Sequence, residues 1–203
     1  GLDRLGHRSG VYTLHDMGGT LVLTRFLDER RPRSALIVGA GYIGLEMAEA
    51  LTMHGVRVTQ VETLSEVLPT VDAELGALIR AELERHEVEV VTGTQVKAVD
   101  AETGQLRVVG EHAFSRLVDL VLVVAGVRPN TTLAETAGVM LGPRGAIVVD
   151  EYMSTGVPHV WAAGDRVVTR HPLLRHSYIP LGTTAHMQGR VAGPHMLGGR
   201  RSV

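Results

Sequence analysis

The chain contains no cysteine among its 203 residues. That absence removes disulfide staples, thiolate metal sites and thiol nucleophiles, so any thiol chemistry has to come from outside it. Aromatic residues make up only 3%, too few for a platform on which bases stack. Neither sign of charge dominates: 20 Lys and Arg stand against 22 Asp and Glu, which gives no electrostatic footing for nucleic acid or an anionic membrane as partner. There is no uninterrupted apolar run of about 18 residues, and no apolar stretch behind a positive start, so neither a membrane span nor a secretory signal is read. The expected compartment is the cytoplasm, and the expected ligand is small. No GxSxG elbow supports hydrolysis by a serine. The ten histidines form no HxH or HExxH, and His171 and His176 are separated by a loop-like Pro172-Leu173-Leu174-Arg175, so no metal site is expected.

What the chain does have is 44% hydrophobic residues and 24 glycines, a mix that suits buried parallel strands and closely packed helices. Short β-branched runs at Ala35–Val38 and Val56–Val61 flank Tyr42–His54, where Ile43, Met47, Ala50 and Leu51 recur at helical spacing. This is a strand, a helix and a second, parallel strand, with Gly55 stopping the helix. A further helix is expected from Asp72, as N-cap, to His86, with Leu75, Leu78, Ile79 and Leu83 on its inward face. Val88–Thr92 reads as the next strand. Thr94–Asp100, Gln105–Val109 and Phe114–Val118 read as a small antiparallel excursion turning at Glu102-Thr103-Gly104. Leu120–Val124 reads as a fully buried strand. Ala146–Val149 and His159–Ala163 follow as short strands, and Ala185–Leu197 as a last helix.

Gly39-Ala40-Gly41-Tyr42-Ile43-Gly44 places GxGxxG between the first strand and its helix. Gly39 permits the tight turn, Gly41 lets a pyrophosphate approach the backbone, and Gly44 lets the helix pack on the strand. The free amides of the helix N-terminus then face the phosphates. Glu62 ends the second strand 21 residues after Gly41, where a carboxylate accepts hydrogen bonds from an adenosine ribose diol. The same carboxylate repels the 2′-phosphate of NADP, and Thr63-Leu64-Ser65 supplies no cation to compensate, so NADH is expected over NADPH. The expected fold is α/β: a Rossmann-like doubly wound parallel sheet with a small antiparallel excursion.

With ALIVGAGYIGLEMAEAL, then LVLVVAGVRPN, then VWAAGD in this order, the chain resembles the pyridine nucleotide-disulfide oxidoreductase family of flavoproteins over nearly its whole length. Its tail, IPLGTTAHMQGRVAG, is most similar to the branch of coenzyme A-disulfide reductases, NADH oxidases and NADH peroxidases. The resemblance implies that Tyr42 and Glu46 lie beside the nicotinamide path to the flavin. It implies that Ala125-Gly126-Val127-Arg128-Pro129-Asn130 forms a turn on the NAD side. Because Pro129 fixes a turn and Asn130 can cap it, a structural role and a ligand contact both fit there. Gly164-Asp165 resembles the second flavin-binding signature, whose aspartate contacts the ribityl and phosphate portion of FAD, and Leu181–Ala185 would lie near the isoalloxazine ring.

A full member of that family opens with an FAD-binding glycine motif, carries one or two redox cysteines near it, and ends in a dimer-forming domain. None of these is found in this sequence, and the aspartate-cysteine pair common at the return is Asp165-Arg166. The expectation is a central portion: residues 1–30 ending a first FAD-domain segment, 31–150 an NAD(P)-binding domain, and 151–203 the return segment of the FAD domain. Apolar residues of the flanking segments, Trp161 and Leu181 among them, should then be more exposed than those of the NAD domain. The implied function is the NADH-binding part of an FAD-dependent NAD(P)H oxidoreductase. It would pass hydride from NADH to FAD and on to a disulfide, oxygen, a peroxide or a protein acceptor, in a homodimeric parent. The alternative is an isolated dinucleotide-binding module with no turnover of its own.

Overall fold

The computed structural model describes residues 9–14, 16–171, 173 and 175–199, and the chain divides after Gly126 into two compact units. The first holds β1 (Val11–Thr13), α1 (Met17–Arg30), β2 (Ser34–Val38), α2 (Tyr42–Met53), β3 (Arg57–Val61), α3 (Ala73–Arg85), β4 (Glu89–Val91), β5 (Val96–Glu102), β6 (Gln105–Gly110), β7 (Ser115–Val118) and β8 (Leu120–Val123). Five strands form one parallel sheet in the order β1-β8-β2-β3-β4, and β5-β6-β7 form an antiparallel one.

Alternation along the central strands explains why they are apolar throughout. Leu36, Val38, Val61, Val121 and Val123 meet Val99, Leu106, Val108, Phe114 and Val118 from the antiparallel excursion. Ala35, Ile37, Val58, Leu120 and Leu122 meet Leu23 of α1 and Ala48 and Leu51 of α2 on the opposite side. Successive strand residues face opposite ways, so a strand covered on both faces has no solvent side to make polar. Each Val or Leu buried in full contributes roughly 1.5–3 kcal/mol. The antiparallel meander connects β4 to β8 and covers the face that the helices leave open.

Three local expectations change. The residues α2 buries in full are Gly44, Ala48 and Leu51, with Ile43 and Ala50 half-buried at the margin. In α3, Leu75 and Leu78 are 52% and 68% exposed. The buried residue there is Gly76, where a Cβ would lie 2.7 Å from the Val67 carbonyl oxygen. Close backbone approach, the Arg80–Glu66 ion pair at 3.1 Å and the half-buried Ile79 and Leu83, of which Leu83 packs against the core under the sheet, seat this helix. Residues 11–30, read from sequence with a flanking FAD-domain segment, supply β1 and α1: β1 pairs in parallel with β8, and the Asp16 carboxylate caps α1 by accepting from Gly19 N at 2.7 Å.

Asp119 ties the end of the meander to the start of β2. Its Oδ2 accepts from Arg33 N (2.8 Å), Ser34 N (3.0 Å) and Ser34 Oγ (3.0 Å), and its Oδ1 from Gln105 Nε2 (2.8 Å). Burial opposes the charge, but the hydrogen bonds from Gln105, Arg33 and Ser34 outweigh it and hold the carboxyl below its ordinary range. A folded-state pKa that is lowered contributes stability that is complete above the unfolded value and is lost as pH falls through the folded one. Asp119→Ala is expected to destabilise by about 1–3 kcal/mol at neutral pH. That difference should shrink as pH drops below about 4. Urea unfolding of both proteins across a pH series measures it, and a difference independent of pH would refute the assignment.

The second unit holds α4 (Thr132–Thr136), a 3₁₀ turn at Pro143–Gly145, β9 (Ile147–Val148), β10 (Val167–His171), β11 (Arg175–Ser177) and α5 (Gly182–Met196). β9 and β10 pair in parallel, β10 and β11 antiparallel. Val139, Ile147 and Val167 form one apolar cluster, and Met153, Val191 and Ala192 a second that seats α5. The strand expected at His159–Ala163 is reduced to one bridge between Ser154 and Trp161, because His159 takes φ 64° and leaves the extended range. Trp161 is half-buried. Its indole N–H donates to His195 Nδ1 at 2.9 Å, and Tyr152 stacks on that imidazole at 5.0 Å. Among the described residues no helix is long and apolar enough to cross a membrane.

Candidate dinucleotide site

β2, β3 and β8 end level with one another, Val38 being paired with both Val61 and Val123. The residues that follow them therefore meet: Gly39 after β2, Glu62 after β3, and Val124 to Gly126 after β8. Gly39 N donates to the Val61 carbonyl at 2.8 Å, and Val124 N to the Val38 carbonyl at 2.9 Å. From β2 the chain proceeds to β3 and β4 on one side, while β8 and β1 lie on the other. Open α/β sheets bind ligands at such a switch point, beyond the carboxyl ends of the strands.

The three glycines of the loop have separable jobs. Gly39 takes φ 107°, and a Cβ on it would lie 2.8 Å from the Val124 carbonyl oxygen. A Cβ on Gly44 would lie 2.2 Å from the Gly39 carbonyl oxygen, so the helix could not rest on the loop with any side chain there. Gly41 is the N-cap of α2, with φ −81°, and a Cβ on it would meet nothing within 4 Å. The space over the middle glycine is thus open. No side chain caps α2, and no acidic residue occupies its first turn, so amides that a helix N-terminus leaves unpaired face that space with a partial positive charge. A pyrophosphate fits both features.

Glu62 is tied to the loop it adjoins: its Oε2 accepts from Ala40 N at 2.8 Å and its Oε1 from Leu64 N at 3.0 Å. A carboxylate offers about four acceptor positions, so these two bonds leave capacity for a ribose diol. Arg57 begins β3 five residues earlier, about 16 Å away along an extended strand, too far to offset the charge of Glu62 toward a 2′-phosphate.

Tyr42, Ile43 and Glu46 lie in the first two turns of α2, directly after the loop. Tyr42 is exposed, and its hydroxyl oxygen accepts from Thr70 Oγ1 at 3.3 Å; Ile43 is half-buried and Glu46 exposed. Ala125 and Gly126 are exposed beside Gly39, with Ala125 Cα 3.1 Å from where a Gly39 Cβ would be. Gly126 takes φ 90° and its N–H donates to the Val124 carbonyl at 2.9 Å. Sequence reasoning passed over three residues that hold the loop. Ala40 is fully buried and Leu68 N donates to its carbonyl at 2.8 Å, with Leu68 itself at φ 49°. The third is Gln60, whose Nε2 donates to the Gly39 carbonyl at 3.2 Å. A polar residue in the otherwise buried run VRVTQV was the available signal.

In the second unit, Gly164 takes φ 85° and its N–H donates to Oε1 of the buried Gln188 at 2.8 Å. A Cβ on Gly164 would lie 3.7 Å from the Ala185 Cβ, so the Gly164-Asp165 turn adjoins the first turn of α5, which starts directly after Leu181. Asp165 is exposed. Burial first, and the charge of Asp165 second, push the Tyr178 hydroxyl up.

A glycine loop at the switch point of a parallel sheet, an uncapped helix behind it and an acid ending the neighbouring strand define an α/β unit of the dinucleotide-binding class. The chain belongs to the pyridine nucleotide-disulphide oxidoreductase family, whose model matches residues 20–189. It is 34% identical over 191 residues to the NAD(P)H sulfur oxidoreductase (CoA-dependent) of Pyrococcus abyssi, covering 93% of this chain and 42% of that protein. The structure of reduced CoADR-RHD from Bacillus anthracis is similar with a TM-score of 0.87 and 32% identity, over 99% of this chain and 35% of that one. That of the water-forming NADH oxidase from Lactobacillus brevis, bound to NADH, is similar with a TM-score of 0.88 and 29% identity, over 97% and 43%. The chain thus spans less than half the length of these relatives.

Proposed function

We propose that this chain binds NADH at the loop Gly39–Gly44, and that in the whole protein it serves an FAD-dependent NADH oxidoreductase. The observation that carries this reading is the open space over Gly41, set before the uncapped N-terminus of α2 and one strand from the Glu62 carboxylate. The backbone of Gly39, Gly41, Ile43 and Gly44 cradles the pyrophosphate, and Glu62 accepts from the adenosine ribose. Tyr42, Glu46, Ala125 and Gly126 flank the nicotinamide end. Gly164 and Asp165 contribute to the FAD site. When bound, the two cofactors supply the redox chemistry, a hydride leaving NADH for the flavin; the residues of this chain bind and orient.

Residues 31–150 are assigned to the NAD-binding domain, with β1 and α1 completing its sheet, and residues 151–203 to the return into the FAD domain. The acceptor beyond the flavin is a disulfide, oxygen, a peroxide or a protein, and the whole protein is a cytoplasmic homodimer. The names of the relatives support a sulfur or oxygen acceptor.

Calorimetric titration of the purified chain with NADH, together with its absorbance in the flavin region, tests the reading. NADH should bind. Little flavin should copurify and NADH should not be consumed, since the sequence carries one GxGxxG loop and Gly164-Asp165 supplies only part of an FAD site. A folded chain that ignores NADH would sink the proposal.

A further inference from the structure

The middle of β3 carries a glutamine where the fold asks for an apolar residue. Val58 packs against the helices, and strand residues two apart share a face, so Gln60 lies on the same side, beneath the start of α2. It is fully buried, at 0% exposure. Its Nε2 donates to the Gly39 carbonyl at 3.2 Å and lies 2.9 Å from where a Gly44 Cβ would be. Its Oε1 is the one buried side-chain oxygen or nitrogen among the described residues without a hydrogen-bond partner.

That orphan oxygen follows from the carbonyl opposite. Only the NH₂ end of an amide can face a carbonyl, so the bond to Gly39 fixes which way Gln60 points and leaves the oxygen end in the core. Burying an amide whose oxygen has no partner is costly. A leucine of similar size would avoid the cost, and the single return visible in the structure is control of the glycine loop.

We propose that Gln60 is a positioning residue of the NADH site: its amide anchors the Gly39 carbonyl and thereby sets the loop and the first turn of α2 that the pyrophosphate meets. The proposal rests on the reading of this loop as the NADH site. Gln60 touches no ligand itself. It works from below, as Glu62 works from beside through Ala40 N, so the loop is held by two side chains two residues apart on one strand.

Two variants test this. Gln60→Leu removes the anchor and the orphan oxygen together. It should keep its fold, bind NADH about 5–10-fold more weakly, as for one lost hydrogen bond, and exchange the hydrogen-bonded loop amides of Gly39, Ala40 and Leu68 faster in the absence of nucleotide. Gln60→Glu replaces the anchor with one that titrates. Protonated, the carboxyl donates to the Gly39 carbonyl and should restore binding; ionised, it repels that carbonyl and should weaken it, and burial raises the pKa of such a group into an accessible range. Its NADH affinity should therefore fall as pH rises, along a profile that the unmodified chain and Gln60→Leu do not share. A general loss of packing would not give rescue by acid.

Unchanged amide exchange in Gln60→Leu, or a pH-independent affinity ratio between Gln60→Glu and the unmodified chain, overturns the proposal. If the unmodified chain binds no NADH, the site reading has failed, and the exchange of the loop amides still decides the role of Gln60. If Gln60→Leu does not fold, acid rescue of loop protection in Gln60→Glu decides it.

Discussion

Gly41→Val is expected to abolish NADH binding in a protein whose fold stays mostly intact, whereas Gly44→Ala should unsettle the fold itself. The two glycines stand three residues apart in one motif, yet their surroundings are opposite. A Cβ at position 41 enters open space, and φ −81° suits any L residue. The added methyl groups occupy the volume through which a pyrophosphate would reach the amides of α2, and the loss should be at least about 100-fold, or about 2.7 kcal/mol. At position 44 a single methyl would sit 2.2 Å from the Gly39 carbonyl oxygen. Neither the loop nor the helix can yield without breaking the β2 to α2 contact, and overpacking of this kind costs up to about 3 kcal/mol. For a chain of this size that corresponds to a fall of about 6–12 °C in Tm. Calorimetric melting and NADH titration of both variants separate the effects. Normal NADH affinity in a folded Gly41→Val protein would remove the loop from the site.

The second large effect concerns the choice of nucleotide. The chain is expected to bind NADH at least about 100-fold more tightly than NADPH, because a 2′-phosphate would be brought against the Glu62 carboxylate with no cation in residues 63–65 to offset it. Glu62→Ala should bring the two affinities to within about tenfold, chiefly by relieving NADPH. NADH binding should weaken as well. Glu62 accepts from Ala40 N and Leu64 N, and its removal leaves both amides without that partner and the loop less fixed. Glu62→Gln keeps an acceptor for one of those amides while removing the charge, so it should relieve NADPH with a smaller loss of NADH. Equal or tighter binding of NADPH than NADH by the unmodified chain would overturn this account.

Much of the site was legible in the sequence because glycine loops announce themselves through local chemistry. Gly39 and Gly44 do what backbone sterics require of those positions, Gly41 leaves open the space that the motif reserves for a ligand, and Glu62 follows from the length of one helix and one strand. The antiparallel excursion was legible for a similar reason, since period-two alternation and the turn at Thr103-Gly104 are written locally. The failures have a common cause as well. Leu75, Leu78, Ile79 and Leu83 fit one helical stripe, but only the C-terminal part of it, Ile79 and Leu83, turns inward; the start of α3 rests on Gly76, and a glycine contact has no hydrophobic signature. The short strand β1 and the β10–β11 hairpin, with its Arg170, His171, Arg175 and His176, give no clear alternation. They are strands because of their partners.

The sequence by itself determined the β2-α2-β3 unit, the position of the loop and the acid that answers it, because these depend on backbone conformations and side-chain sizes within some thirty residues. Tertiary structure alone decided what lies over and under the loop. Val124 crowds Gly39, Ala40 N is claimed by Glu62, and Gln60 reaches the Gly39 carbonyl from within the core. Val124 comes from 85 residues further along the chain than Gly39. It arrives because β8 is inserted next to β2, a pairing set by burial of both faces of a parallel sheet rather than by any local pattern.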